Sequence, residues 1–297
     1  MKYYFSKIRT QYQKATRKLE ISKFGFDIVS GCQLRCIGCP NSIIKPKIRP
    51  ISVADFEQCL GNIDVNVIKV FRLFNFGEPL LHPDLPLLVN QIRKYDFKVD
   101  KIEISTNTQN SNFENLTEIF KGKELDILAC SCDGDGTPAE YERLRPPAKW
   151  SRFIEFLTKA GELKERYHPN LKLITRSICE TEEGKARWRE LVEPLGWTPQ
   201  FRDWMHLPGS ERTKSVELPN KNGLCYYMSN VERYCYVDAD ANVVPCCVHP
   251  QAFLLGNLKE EKLSTILASR LRFNYQRQLQ ENRVSLPVCR KCDIFSG

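Results

Sequence analysis

Strand-like and helix-like runs alternate through the first two thirds of the chain, and this alternation constrains the fold more than any single residue does. Apolar and β-branched runs predict strands at 24–30, 67–73, 101–105, 125–130, 171–176 and 198–202. The runs between them predict helices at 53–60, 85–95, 112–120, 150–167 and 182–191. Because the spacers allow right-handed crossovers, we expect parallel strands. The prediction is an α/β fold, a partial (β/α)6 TIM-like barrel, with its chemistry at the carboxyl ends of the strands.

Composition places the chain among soluble globular proteins. It has 297 residues, of which 42% are hydrophobic and 27% charged, enough for one large domain and a small appendage. No apolar run is long enough to span a membrane, and no signal peptide is visible, so we expect no membrane span and a cytoplasmic location. Thirteen cysteines without an export signal favour metal ligation over disulfides.

Charge and pattern divide the chain into four parts. We expect a basic amphipathic N-terminal extension at 1–21, the barrel at 22–206, a linker at 207–219 and a cysteine-rich domain at 220–297. The extension either packs on its own domain or binds a partner. The net charge is +8, and because much of it lies in the extension, the body carries too little positive charge to suggest a nucleic-acid enzyme.

Three cysteines follow the first predicted strand at C-x3-C-x2-C spacing: Cys32, Cys36 and Cys39. Three thiolates can hold three irons of a four-iron cluster and leave the fourth iron open for chemistry. A zinc knuckle or a redox dithiol is the alternative, since C-x2-C pairs occur in both. The third cysteine, without a histidine or a second knuckle at zinc spacing, favours iron and sulfur.

Two further motifs stand at predicted strand ends. Residues 75–81 read Asn-Phe-Gly-Glu-Pro-Leu-Leu, and residues 101–107 read Lys-Ile-Glu-Ile-Ser-Thr-Asn. With the three cysteines, they resemble the radical S-adenosylmethionine (SAM) superfamily. The resemblance implies that the open iron binds the methionine part of SAM and that reductive cleavage gives a 5'-deoxyadenosyl radical.

The resemblance also implies which side chains meet SAM. The carboxylate of Glu78, which follows Gly77, would accept a hydrogen bond from the methionine ammonium. The strand ends at Ser105, Asn107 and Arg176 are further candidates for contacts with SAM. Gly38 stands where the superfamily usually has an aromatic residue near the adenine, which leaves the adenine contact open.

The C-terminal third predicts a second metal site. It contains a hairpin turn at 238–242, a helical run near 263–278 and a terminal C-x2-C pair. This pattern resembles the twitch extension, a short relative of the SPASM domain. The resemblance implies a hairpin-plus-helix domain with a closed four-iron cluster, and a four-cysteine zinc ribbon is the alternative. The implied ligands are Cys225, Cys246, Cys289 and Cys292.

The predicted cofactors are therefore two [4Fe-4S] clusters and SAM. We expect a radical SAM oxidoreductase that dehydrogenates a small polar substrate of the sugar or aminocyclitol type, with a low-potential electron donor such as flavodoxin or ferredoxin. Asp203 and His206, after the sixth strand, and Asp133, after the fourth, are candidate bases. One alternative is an epimerase of a sugar or peptide, with Cys247 as hydrogen-atom donor. Another is a zinc-stapled binding protein.

Overall fold

The computed structural model describes residues 19–110, 112–204, 208, 222–229, 234–249 and 251–292. The first 18 residues of the predicted extension, His206 and nearly all of the predicted linker lie outside this part of the chain.

Eleven strands are present in the described residues. They are β1 (Glu20–Phe26), β2 (Val29–Ser30), β3 (Arg49–Pro50), β4 (Val67–Arg72), β5 (Lys98–Thr106), β6 (Ile127–Ser131), β7 (Lys172–Ile178), β8 (Thr198–Arg202), β9 (Tyr234–Val237), β10 (Asn242–Val244) and β11 (Gly256–Asn257). The six longest barrel strands overlap the six predicted runs, because buried β-branched and aromatic residues favour extended backbone there. The first prediction, 24–30, was displaced: β1 begins and ends four residues earlier.

The helices lie between these strands. They are α1 (Asn41–Ile44), α2 (Val53–Gly61), α3 (Leu85–Gln91), α4 (Phe113–Gly122), α5 (Pro138–Leu144), α6 (Trp150–Tyr167), α7 (Glu182–Val192), α8 (Tyr226–Ser229), α9 (Leu263–Leu267) and α10 (Arg270–Asn282). Side chains cap the N-termini of several helices. The Ser52 hydroxyl accepts from the Asp55 amide at 3.0 Å, and the Thr181 hydroxyl accepts from the Gly184 amide at 3.1 Å.

The main sheet has the order β11-β10-β9-β1-β4-β5-β6-β7-β8. From β1 through β4 to β8, each neighbouring pair is parallel. The predicted fold is confirmed: this part is a partial (β/α)6 barrel. Its strands all end at one rim, which gathers the loops that follow them.

The predicted hairpin is present, and it is joined to the barrel more closely than the sequence indicated. β9 and β10 are antiparallel, and β9 pairs in parallel with β1, so the C-terminal domain extends the barrel sheet. The ring of Tyr236 lies against Gly25, where an added Cβ would come within 2.8 Å of the ring. A small residue at this point of β1 therefore lets the two parts pack together.

The helical run predicted near 263–278 is two helices. α9 ends at Leu267, and α10 begins after Ser269, whose hydroxyl accepts from the Arg272 amide at 3.2 Å. A serine that caps a helix favours a new start over continuation. None of the described helices combines the length and the apolarity that crossing a bilayer requires.

Candidate active site

A cavity of about 370 Å³ opens at the rim of the barrel. It brings together residues that the sequence places more than 170 positions apart. Its lining includes nearly every predicted residue of the first site: Cys32, Cys36, Gly38, Cys39, Gly77, Glu78, Ser105, Asn107, Arg176 and Asp203. His206 lies outside the described residues.

The cysteine loop is fixed by contacts with two neighbouring loops. The amide of Arg35 donates to the Pro146 carbonyl at 2.6 Å, and the amide of Ile37 donates to the Leu144 carbonyl at 2.8 Å. On the other side, the Glu78 amide donates to the Gly31 carbonyl at 3.1 Å. The loop therefore has a defined shape before any cofactor binds.

Asp27, directly after β1, fixes the backbone of the loop that precedes Glu78. Its carboxylate accepts hydrogen bonds from the amides of Asn75, Phe76 and Gly77 at 2.6 to 3.0 Å. Gly77 is required because an added Cβ would lie 1.7 Å from the carbonyl oxygen of Val29. Burial raises the pKa of Asp27 to about 6, although the three amides lower it.

Glu78 is buried and connects two strand ends. Its carboxylate accepts from the Thr106 hydroxyl at 2.7 Å and from the amides of Asn107 at 2.7 Å and Leu80 at 3.0 Å. Burial raises its pKa despite these donors. A carboxylate has room for about four donors, so a cation at the cavity would find an acceptor that is already oriented.

Asn107 links this carboxylate to the first cysteine. Its side-chain amide donates to the Cys32 sulfur at 3.1 Å, and its side-chain oxygen accepts from Gln33 at 3.1 Å. A donor aimed at a sulfur stabilises a thiolate or a cluster that carries negative charge.

The three cysteines suit an iron–sulfur cluster in number and chemistry. No fourth cysteine or histidine among the described residues lines this cavity. Burial raises the pKa of Cys32 to about 11 and of Cys39 to about 12, and it also raises that of Cys36. Thiolates in this buried place therefore need a cationic metal to be stable.

The three sulfurs do not form a ready-made site for a single ion. Within the part of the chain that the structure describes, no three His, Cys, Asp or Glu side chains converge on one point where a metal ion would sit. Thiolates that ligate different irons of a cluster stand farther apart than the ligands of one ion, so the arrangement is compatible with a cluster.

Gly38 faces an aromatic side chain from another loop. Its φ is +88°, and an added Cβ would lie 3.0 Å from the ring of Trp204, which follows β8. Glycine at this position therefore leaves room for the indole at the cavity wall, which the sequence alone did not indicate.

Three acidic residues line the cavity besides the cysteines, and they differ in their surroundings. Glu78 is held as described above, and Asp133 forms an ion pair with the buried Arg145 and accepts from the Ile178 amide at 3.2 Å. Asp203 is exposed, and its charge raises the pKa of Lys185 on α7. Of the three, Asp203 is the carboxylate that remains most accessible to a substrate.

A second cavity lies in the C-terminal domain. Its lining contains all four predicted ligands of the second cluster: Cys225, Cys246, Cys289 and Cys292. Cys247 is not part of this lining. Four cysteines around one space form a complete shell for a closed four-iron cluster, so the donor set fits that group.

Two neighbours of this second cavity, Tyr275 and Arg283, partly offset the effect of burial on its thiols. Tyr275 shares a hydrogen bond of 2.9 Å with the Cys289 sulfur, and Arg283 donates to the carbonyls of Cys289 and Cys292 at 2.9 and 3.1 Å. Burial raises the pKa of Cys225 and of Cys289, while the charge of Arg283 lowers both.

Cys247 lies beside a group of tyrosines. Burial raises the pKa of the Tyr227 and Tyr236 phenols, and the neighbouring Cys247 thiol raises the pKa of both further. The ring of Tyr236 packs on β1 inside the barrel. Cys247 therefore stands on the barrel side of the second cavity.

Family models agree with both parts of the fold. The model of the radical SAM superfamily matches residues 27–172, and the model of SPASM, an iron–sulfur cluster-binding domain, matches residues 225–293. The chain belongs to the radical SAM superfamily and carries a C-terminal SPASM-type domain. The zinc-stapled binding protein is thereby set aside. No curated protein matches the sequence.

Three solved structures share the fold at low sequence identity. BtrN in complex with AdoMet and 2-DOIA is 16% identical, with a TM-score of 0.58 over 93% of this chain and 94% of that one. SuiB from Streptococcus suis, bound to precursor peptide SuiA, is 12% identical, with a TM-score of 0.63 over 97% and 74%. The anSMEcpe structure with bound AdoMet is 16% identical, with a TM-score of 0.58 over 92% and 88%.

Sequence reasoning missed several residues of the first site. Asp27, Arg145 and Trp204 were not singled out as parts of a binding site. Asp27 did carry a signal, since it is a carboxylate in an otherwise apolar strand directly before the cysteine loop. Glu103 carried a similar signal, because strand alternation places it on the same face as Ser105.

Proposed function

We propose that this chain is a radical SAM oxidoreductase that removes hydrogen from a carbon of a small polar substrate. The observation that carries the proposal is the single rim cavity, which brings together three cysteines, the oriented carboxylate of Glu78 and the polar ends of β5 and β7. When bound, the first cluster with SAM supplies a hydrogen-abstracting radical, and a second cluster supplies an electron acceptor.

The chain's own groups have separate tasks in this proposal. Cys32, Cys36 and Cys39 hold the first cluster, and Asn107 donates to the sulfur of Cys32. Glu78 accepts from the methionine ammonium and fixes the orientation of SAM. Ser105, Gly77 and Arg176 complete the SAM side of the cavity, and Gly38 with Trp204 forms the wall where the adenine would lie.

Oxidation of a carbon also requires that a proton leave the substrate. We assign its removal to Asp203, because Asp133 is already paired with Arg145 and Asp203 is exposed at the same cavity. His206 is a second candidate base. Cys225, Cys246, Cys289 and Cys292 hold the second cluster, and four protein ligands leave it no open position for substrate.

Epimerisation is the second candidate, and the place of Cys247 favours it. Its thiol is outside the lining of the four-cysteine cavity and touches two tyrosines on the barrel side. A thiol there has no ligand role and is available to return a hydrogen atom to a substrate radical. Cys247→Ala separates the two functions: oxidation would continue, whereas inversion would stop after hydrogen abstraction.

The test uses anaerobic, iron-loaded enzyme with SAM and a low-potential reductant, for which flavodoxin or ferredoxin is the expected partner in the cell. Sugars, sugar phosphates, aminocyclitols and peptides are supplied in D2O. An oxidised product has lost two hydrogens and gained no solvent deuterium at the carbon, which supports dehydrogenation. One deuterium in a product of unchanged composition would instead establish inversion.

A further inference from the structure

A group of charged residues lines the inner side of the barrel and reaches the rim cavity, where part of Arg202 is exposed to solvent. Five strands each contribute one charged residue to it, and we call this set the basic cluster: Lys23 (β1), Arg72 (β4), Glu103 (β5), Arg176 (β7) and Arg202 (β8). It contains four cations and a single carboxylate. The interior of a barrel of this kind is usually filled with apolar side chains.

The carboxylate of Glu103 forms ion pairs with two of these cations. Its side chain is 2% exposed and forms ion pairs with both Arg72, at 3.1 Å, and Arg176. Glu103 carries one negative charge and the two arginines carry two positive charges, so these three residues together have a net charge of +1. Buried charges are normally balanced within the protein, so the imbalance calls for an explanation.

Arg202 and Lys23 increase the imbalance. Within the described residues, no ion pair or hydrogen bond joins Arg202 to a carboxylate, and Lys23 lies over the ring of Tyr234 at 5.4 Å. Burial first, and then the charges of neighbouring arginines, lower the pKa of both Lys23 and Arg202. These positive charges repel one another, and a bound anion would reduce the repulsion.

The acidic residues nearby do not neutralise this excess. Asp133 is paired with Arg145, Glu78 accepts hydrogen bonds from Thr106 and Asn107, and the charge of Asp203 acts on Lys185 of α7. Arg176 and Arg202 line the rim cavity itself, so their guanidinium groups border the space that a substrate would enter.

We propose that the substrate is an anion, whose phosphate or carboxylate group binds to Arg202 in the rim cavity, beside Arg176, which is assigned to the SAM side of the same cavity. This inference rests on the proposed function, since it names the class of substrate for the same cavity. Guanidinium groups suit both oxyanions because they donate paired hydrogen bonds. A cationic aminocyclitol would meet the same charges unfavourably, so the basic cluster selects for phosphorylated or acidic small molecules.

The experiment measures anion binding to iron-loaded enzyme that is already saturated with SAM, so that the carboxylate site of SAM is occupied. Inorganic phosphate, succinate and glucosamine are titrated anaerobically by calorimetry at constant ionic strength. The first probe represents phosphorylated substrates, the second represents carboxylates, and the third represents a cationic sugar. Saturable binding of one anion, and none of glucosamine, is the expected result.

Three arginine variants test whether the anion binds at Arg202. Arg202→Gln should weaken binding of the anion by about tenfold, the loss expected for a charge-assisted hydrogen bond. Arg202→Lys, which keeps the charge, should retain most of the affinity and guards against a folding defect in the first variant. Arg152→Gln removes the same charge from the exposed face of α6 and should leave binding unchanged.

The inference is overturned if neither anion binds saturably, if glucosamine binds as well as the anions, or if Arg202→Gln and Arg152→Gln behave alike. Deoxyadenosine formation by the wild-type enzyme without substrate is measured in parallel. If deoxyadenosine forms but no anion binds, the substrate class is wrong and the proposed function stands. If no deoxyadenosine forms, the proposed function itself fails.

Discussion

Asn107 and Glu78 are joined at 2.7 Å through the backbone amide of Asn107, and the side-chain amide of the same residue reaches the Cys32 sulfur at 3.1 Å. A single residue at the end of β5 therefore connects the carboxylate assigned to SAM with a cysteine assigned to the cluster. Four predictions follow from this arrangement and from the contacts around it.

Asn107→Ala is expected to lower the reduction potential of the first cluster by roughly 60 mV, since a donor to the Cys32 sulfur favours the more negative, reduced state. A redox titration monitored by electron paramagnetic resonance measures the shift. Asn115→Ala on α4 is the control and should leave the potential unchanged. An unchanged potential in Asn107→Ala would show that the amide does not act on the cluster.

Gly77→Ala is expected to reduce the free energy of unfolding by about 3 kcal/mol, because the new methyl group would overlap the Val29 carbonyl. Gly196→Ala is a matched control: it also adds a methyl group at a glycine, with φ +80° and no atom within 4 Å. Its cost should be about 1 kcal/mol, from backbone strain alone. Urea unfolding compares the two, and equal losses would contradict the close approach at Gly77.

Asp27 should make stability depend on pH. Burial raises its pKa in the folded protein to about 6, from an ordinary value of 3.8, so the unfolded chain loses this proton at lower pH than the folded protein does. The contribution of Asp27 therefore declines as pH rises and levels off above the folded pKa.

The comparison that isolates this effect is wild type against Asp27→Asn. Between pH 5 and pH 7, the free energy of unfolding of the wild type should fall by about 1 kcal/mol relative to that of Asp27→Asn. Urea unfolding at several pH values measures it. A difference that is constant over this range would mean that the carboxylate is already ionised at pH 5.

Cys225→Ala is expected to halve the iron content, from about eight to about four irons per chain, because it removes one ligand of the second cluster only. Cys235→Ala, at a buried packing cysteine in β9, should keep about eight irons. Anaerobic iron analysis distinguishes them. Full iron content in Cys225→Ala would remove this cysteine from the ligand set.

Much of the barrel could be predicted from sequence because its determinants are local. Alternating apolar runs indicated all six strands, and the positions of Glu78 and Ser105 at strand ends placed them at one rim before the structure did so. The parallel pairing of β9 with β1 could not be predicted, since it joins segments about 200 residues apart through packing of Tyr236 on Gly25.

The sequence identified single charged residues of the site, but it did not show which of them would form ion pairs. Glu103 and Arg176 could be read as polar positions on strands, but their ion pair crosses β6, which depends on the curvature of the barrel. Trp204, two residues after the end of β8, lies against Gly38, which follows β1 and β2 in the chain. Such contacts follow from tertiary geometry rather than from any local pattern.

The central claim is that Cys32, Cys36 and Cys39 hold a cluster whose open iron binds SAM. Deoxyadenosine formation from SAM, under anaerobic reducing conditions, tests it most directly when wild type and Cys36→Ala are compared. The account predicts deoxyadenosine from the wild type and none from Cys36→Ala. Its absence from iron-loaded wild-type enzyme, or equal formation by Cys36→Ala, would contradict the account.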